Sequence, residues 1–161
     1  MALADTTRPT HLGPGEGRQL RVITDLATIK ATSDTTGGAY ALIEARTPPS
    51  GGVPLHTQHY DDATYIVLAG TYRFHVEDDE FELGPGGYAF VTRGTAHGYA
   101  NTGDVPARML VIATPGGVME RFLDEIGDSA ARAPWEPDMA RVLAVAPKYG
   151  VEIRLPPPED E

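Results

Sequence analysis

Turn residues constrain this chain more than any other feature. Clusters rich in glycine, proline, asparagine, aspartate and threonine cut its first three quarters into short apolar runs. The runs cover 20–26, 39–46, 64–69, 72–77, 80–83, 88–92 and 107–113. Between them stand "DTTGG", "TPPSGGVP", "EDDE", "GPGG", "TRGTAHG" and "NTGDVP". The runs are too short for ordinary helices, and many of their residues are β-branched or aromatic. Short strands with such punctuation predict an antiparallel sandwich or barrel. "TYRFHVEDDEFEL" reads as a hairpin, with Tyr72, Phe74 and Val76 on one face and Arg73 and His75 on the other.

Near Thr114 the period changes. Val118, Met119, Phe122, Leu123 and Ile126 recur at helical spacing, and Gly127 ends the run. "PDMARVLAVAPKYG" repeats the theme, opening at Pro137 and stopping at Pro147 and Gly150. "VEIRL" reads as a last short strand. The expected organisation is one domain over 1–161. It has a leader (1–19), a β-barrel (20–114), two C-terminal helices with a short strand (115–155) and an acidic tail (156–161).

Composition narrows the function. A chain of 161 residues can bury a core without staples. It has no cysteine, which excludes disulfides, thiolate metal sites and cysteine nucleophiles. Its net charge of -10 repels nucleic acid and anionic membranes. The amino terminus lacks a basic segment followed by an apolar one, and no apolar run is long enough to span a bilayer. The expectation is a soluble cytoplasmic protein whose partner is a small molecule.

Four blocks carry a resemblance. "PPSGGVPLH" leads into "YIVLAG", and "GPGGYAFVTRGTAHGYANTG" leads into "ARMLVIATPGG". Together they resemble the cupin superfamily, and most closely its quercetinase-like bacterial monocupins. The resemblance implies an all-β cupin jelly roll (double-stranded β-helix) with two C-terminal helices. It also implies a two-fold homodimer and a metal held by three histidines and a glutamate.

Carried over residue by residue, the ligand set is incomplete. His56 matches the first histidine and His97 the third. Gln58 stands at the second histidine position and Ala63 at the glutamate position. His59 is one residue out of phase with Gln58, so in an extended strand it faces away unless the chain bulges. The candidate metal set is therefore His56, His97, Gln58 and His59. Two imidazoles and a neutral amide suit a weakly bound divalent ion, zinc first, or no metal at all. Iron, nickel or manganese for dioxygenase chemistry calls for a carboxylate as well.

His56 and His97 also suit proton transfer, since neutral imidazole serves as acid or base near neutral pH. They can equally be former ligands bound to neighbours. Tyr65 follows Ala63 by two and Tyr99 follows His97 by two, so each shares a face with a ligand position. These four are the candidate catalytic residues, the tyrosines as donors to a substrate carbonyl or as core. Gln58, Phe90 and Met109 are candidate substrate contacts or packing residues. Asp61 and Asp62 read as solvated turn charges.

The resemblance implies an aromatic or polyketide-like substrate. The altered ligands favour cyclisation, isomerisation or dehydration over oxidation. A quercetinase-like dioxygenase and a non-catalytic binding protein are the alternatives.

Overall fold

The computed structural model describes residues 7–129 and 136–156. The first strands are β1 (Arg18–Val22), β2 (Asp25–Ala31), β3 (Ala41–Thr47), β4 (Gly52–Gln58), β5 (Asp62–Ala69) and β6 (Tyr72–Val76). Then follow β7 (Asp79–Leu83), β8 (Tyr88–Val91), β9 (His97–Asn101), β10 (Ala107–Thr114), β11 (Asp128–Ser129) and β12 (Val151–Arg154). The helices are α1 (Ser33–Thr36), α2 (Met119–Ile126) and α3 (Met139–Val145), the last running into a 3-10 turn over Ala146–Tyr149. The acidic tail from residue 157 onward lies outside the described residues.

Two antiparallel sheets form the body, as the turn spacing predicts. One has seven strands in the order β11-β1-β2-β3-β10-β5-β8; the other has five, β12-β4-β9-β6-β7. The strongest local expectations hold. β6 and β7 form the hairpin, with Tyr72 and Phe74 fully buried and Arg73 and His75 exposed. The α2 stripe forms as predicted, and Leu20, Ile43, Val67 and Met109 lie in the same buried core.

Three local readings are corrected. The run 20–26 is two strands, because the chain turns at Ile23 and pairs Val22 with Asp25. Ile23 holds a left-handed φ of 57° there, a costly conformation for a β-branched residue. Segments 52–58 and 97–101, where the apolar pattern shows no run, are β4 and β9. Gly52 makes their pairing possible: a Cβ there would fall 2.0 Å from the Tyr99 carbonyl oxygen. Lastly, "DTTGG" belongs partly to the single-turn helix α1.

β12 pairs with β4, setting Ile153 opposite His56 and Val151 opposite Gln58. The C-terminal strand therefore forms one edge of the site. α2 packs against the core, tied at its start by Glu120, whose buried carboxylate accepts from Ser33 N at 2.8 Å and from Gly117 N. Among the described residues, no helix is long and apolar enough to cross a membrane.

Candidate active site

Strand alternation builds the site. His56 and Gln58 are two apart on β4, and His97 and Tyr99 are two apart on β9, so each pair projects to one face. The β4–β9 register sets His56 opposite His97, and their ring centroids are 4.3 Å apart. Two histidines 41 positions apart in the sequence thus share the barrel interior.

The sheets and α2 line a half-open cavity of about 120 Å³. An apolar cavity of about 150 Å³ accommodates benzene, so this one is on the scale of a single ring. Val118, Met119, Phe122, Leu123 and Ile126 line it, which are the same five residues as the predicted helical stripe. Its other walls are mostly aliphatic. Its polar lining comes from His56, Gln58, Asp61, Tyr65, Tyr99 and Asp25.

Each imidazole is anchored the same way. Its Nδ1 lies 3.0 Å from the carbonyl oxygen two residues earlier, Pro54 for His56 and Thr95 for His97. That contact fixes the proton on Nδ1 and leaves Nε2 as the free nitrogen. His97 Nε2 lies 2.9 Å from the Tyr65 hydroxyl, which donates to it. His56 Nε2 lies 3.1 Å from Gln58 Oε1, and Gln58 Nε2 lies 3.0 Å from Asp61 Oδ1.

The Gln58 contacts carry a proton question. With Oε1 toward His56, two acceptors meet unless the ring is imidazolium. Burial opposes that state and lowers the His56 pKa, more than the Pro54 and Gln58 contacts raise it. With the amide turned over, its NH₂ donates to His56 Nε2 and its oxygen accepts from protonated Asp61. Burial favours that protonation, lifting Asp61 above the ordinary carboxylate range against the pull of Gln58 and Arg93. Neutral ring, amide and neutral acid form a consistent chain.

His97 is lowered to about 4, first by burial and then by the neighbouring His56 ring. Tyr65 and Tyr99 are raised by burial, so both phenols keep their protons. Tyr99 donates to Asp25 Oδ2 at 2.5 Å. Burial lifts Asp25 to about 6, against the pull of the Tyr99 and Thr47 hydroxyls.

Some expected site residues lie elsewhere. His59 follows the end of β4, faces outward and sits 3.0 Å from Glu152 Oε1 on β12. The register shift on β4 falls earlier, between Val53 and His56, and does not bring His59 inward. Phe90 faces solvent, 49% exposed, because the residues of β8 that point inward are Ala89 and Val91. Met109 is fully buried in the core but does not border the cavity. Nor does His97, which reaches it through the Tyr65 hydroxyl.

Asp61 reverses its expected role: it is 2% exposed, while its neighbour Asp62 takes the outer contacts with Arg93. Parity carries the signal. Residues 61, 63 and 65 share one sense, and Ala63 and Tyr65 are buried. Asp25 likewise shares the inward sense of Ala27 and Ile29 on β2.

The donors do not fit a retained redox metal. Ala63 is buried and contributes only a methyl group. Gln58 brings a neutral amide, and the nearest acid, Asp61, is engaged by that amide. Among the described residues, no three His, Asp or Glu side chains group as ligands.

Residues 43–113 match the family model described as "Cupin domain". No curated protein matches the sequence. Among solved structures, a predicted oxalate decarboxylase from Thermotoga maritima is similar, at 18% identity and a TM-score of 0.62, over 66% of this chain and 99% of that one. The polyketide cyclase RemF from Streptomyces resistomycificus is similar at 22% identity and 0.58, over 66% and 80%. KdgF from a Halomonas species is similar at 15% identity and 0.53, over 60% and 84%. At these identities the likeness shows the fold, which is the cupin jelly roll.

Proposed function

We propose that this cupin-fold chain is an enzyme that rearranges a small aromatic or polyketide-like molecule by proton transfer, without net oxidation. The observation that carries the reading is the hydrogen-bonded chain His56–Gln58–Asp61 on the wall of an apolar cavity. His56 Nε2 is the proton acceptor. The Gln58 amide first turns its NH₂ away from Nε2; proton abstraction then makes His56 an imidazolium, from which Gln58 Oε1 accepts. Asp61 keeps its proton and its carbonyl oxygen accepts from Gln58 Nε2, and the proton on His56 returns to another atom of the substrate. Tyr65 gives its one proton to His97 Nε2, so its hydroxyl oxygen is left to accept from a substrate hydroxyl.

The reaction class is cyclisation, isomerisation or dehydration, and a similar fold serves the polyketide cyclase RemF. The cavity favours a one-ring substrate, or a larger one admitted by movement of α2. No step is routed through a metal; any divalent ion at His56, His97 and Gln58 is held weakly, zinc ahead of iron, nickel or manganese. The proposed assembly is a homodimer in the cytoplasm.

The test is turnover of hydroxylated aromatic ketones and short polyketide-like probes with and without dioxygen, and after chelation. Turnover that persists under both restrictions and vanishes in His56→Leu supports the reading. Turnover that stops without dioxygen replaces it with the quercetinase-like dioxygenase. Tight binding of probes without turnover replaces it with a binding protein.

A further inference from the structure

Asp25 has no place in the proton chain above. It opens β2 just after the Ile23 turn and borders the cavity at a position distinct from Gln58 and Asp61. The carboxylate is 4% exposed. Its Oδ2 takes the Tyr99 hydroxyl at 2.5 Å, while its Oδ1 is buried with no hydrogen-bond partner. A buried acceptor without a donor carries a desolvation cost with nothing to offset it. Val22, Ala27 and Ala45 on the wall are apolar, and the Thr47 hydroxyl lowers the acid's proton affinity without making a hydrogen bond to Oδ1.

We propose that Asp25 is a ligand-binding residue whose Oδ1 accepts a hydrogen bond from a hydroxyl of the bound molecule, with Tyr99 holding the carboxylate in place. A hydroxyl fits the vacancy better than an ammonium. It brings one donor to one free acceptor, whereas an ammonium would bring three donors into a wall with one. The cavity then has two polar stations in an apolar chamber, one at His56 and one at Asp25. A phenol or enol hydroxyl on Asp25 would orient the ring for proton transfer at His56. The inference rests on the reading of this cavity as the ligand site and adds the substrate feature it selects.

Phenol and toluene are the probes, being matched in shape and differing in one O–H. Their dissociation constants are measured by NMR titration on the full chain. An ordinary apolar cavity prefers toluene, because phenol must give up its water. The expected result is that the native protein binds phenol at least as tightly as toluene. Asp25→Leu weakens phenol at least tenfold relative to toluene. Asp25→Asn, closer in shape, weakens it at least fivefold, so the test survives if the leucine variant does not fold. A native preference for toluene overturns the inference and leaves the cavity as the ligand site. So does a phenol preference that survives both Asp25 variants but disappears in Asp61→Leu. Binding of neither probe overturns both.

Discussion

Gln58 Nε2 lies 3.0 Å from Asp61 Oδ1, deep in the barrel wall. The acid is not a solvated turn charge but the far end of a buried chain that begins at His56. That link gives the acid's Oδ1 a donor, while its Oδ2 is buried without one. Three predictions concern this chain and its neighbours, and a fourth concerns α2.

Metal content should follow the donor set. Protein purified without chelators is expected to hold clearly substoichiometric transition metal. The double variant Gln58→His with Ala63→Glu should approach one metal per chain, since it restores a third imidazole and a carboxylate. Elemental analysis reads both. Full iron, nickel or manganese in the native protein would defeat the proton-transfer reading.

His97 should matter to stability as well as to any turnover. His97→Ala removes a fully buried ring and leaves the Tyr65 hydroxyl without its acceptor. The expected cost is about 2–4 kcal/mol in denaturant unfolding. His97→Gln can keep an acceptor near Tyr65 and should cost less. Equal stability of the alanine variant and the native protein would remove the contact's importance.

Stability should change little between about pH 4 and 6.5, because two linked effects oppose each other. Asp25 rises from 3.8 to about 6 on folding, so its contribution is fully present below pH 4 and lost as pH rises toward 6. His97 falls from 6.5 to about 4, so its contribution is present above 6.5 and lost as pH falls toward 4. Asp61 is raised and His56 lowered, with the same opposing signs. Asp25→Asn removes one side of the balance. It should gain up to about 3 kcal/mol at neutral pH, from roughly two pKa units, and then become acid-labile. Urea unfolding across this range checks the slopes; an Asn variant as pH-independent as the native protein would contradict the balance.

Phe122 should set the size limit of the chamber. Its side chain lines the cavity and also meets Tyr149, 5.7 Å between ring centroids. Phe122→Ala is expected to cost about 2 kcal/mol, less than a fully buried ring. It should also admit naphthalene, which the native chamber excludes. Titration by fluorescence checks this; unchanged exclusion would mean that another part of the wall limits entry.

The legible parts of the sequence were those that follow period and punctuation. Tyr72 and Phe74 alternate with Arg73 and His75, so the hairpin and its inner face could be read directly. Val118 to Ile126 carry a helical period, so α2 and its apolar face could be read as well. The strands that bear the site were poorly legible. β4 contains Pro54, His56 and Gln58, and β9 contains His97 and Gly98; such residues erase the apolar pattern that marks a strand. Only the resemblance of their motifs placed His56 and His97 together. Phe90 misled because an aromatic side chain on an outer face looks the same in sequence as one on an inner face.

What the sequence determined by itself was a β-barrel followed by helices, with the hairpin and the apolar stripe of α2. Alternation and helical spacing are local, so the chain states them without help. Only the tertiary structure decided that Asp61 and Asp25 are buried and that His97 stands behind Tyr65. Burial, and with it the proton affinity of an acid or a ring, depends on strands brought together from 74 positions apart, as Tyr99 is to Asp25. No local pattern records that distance.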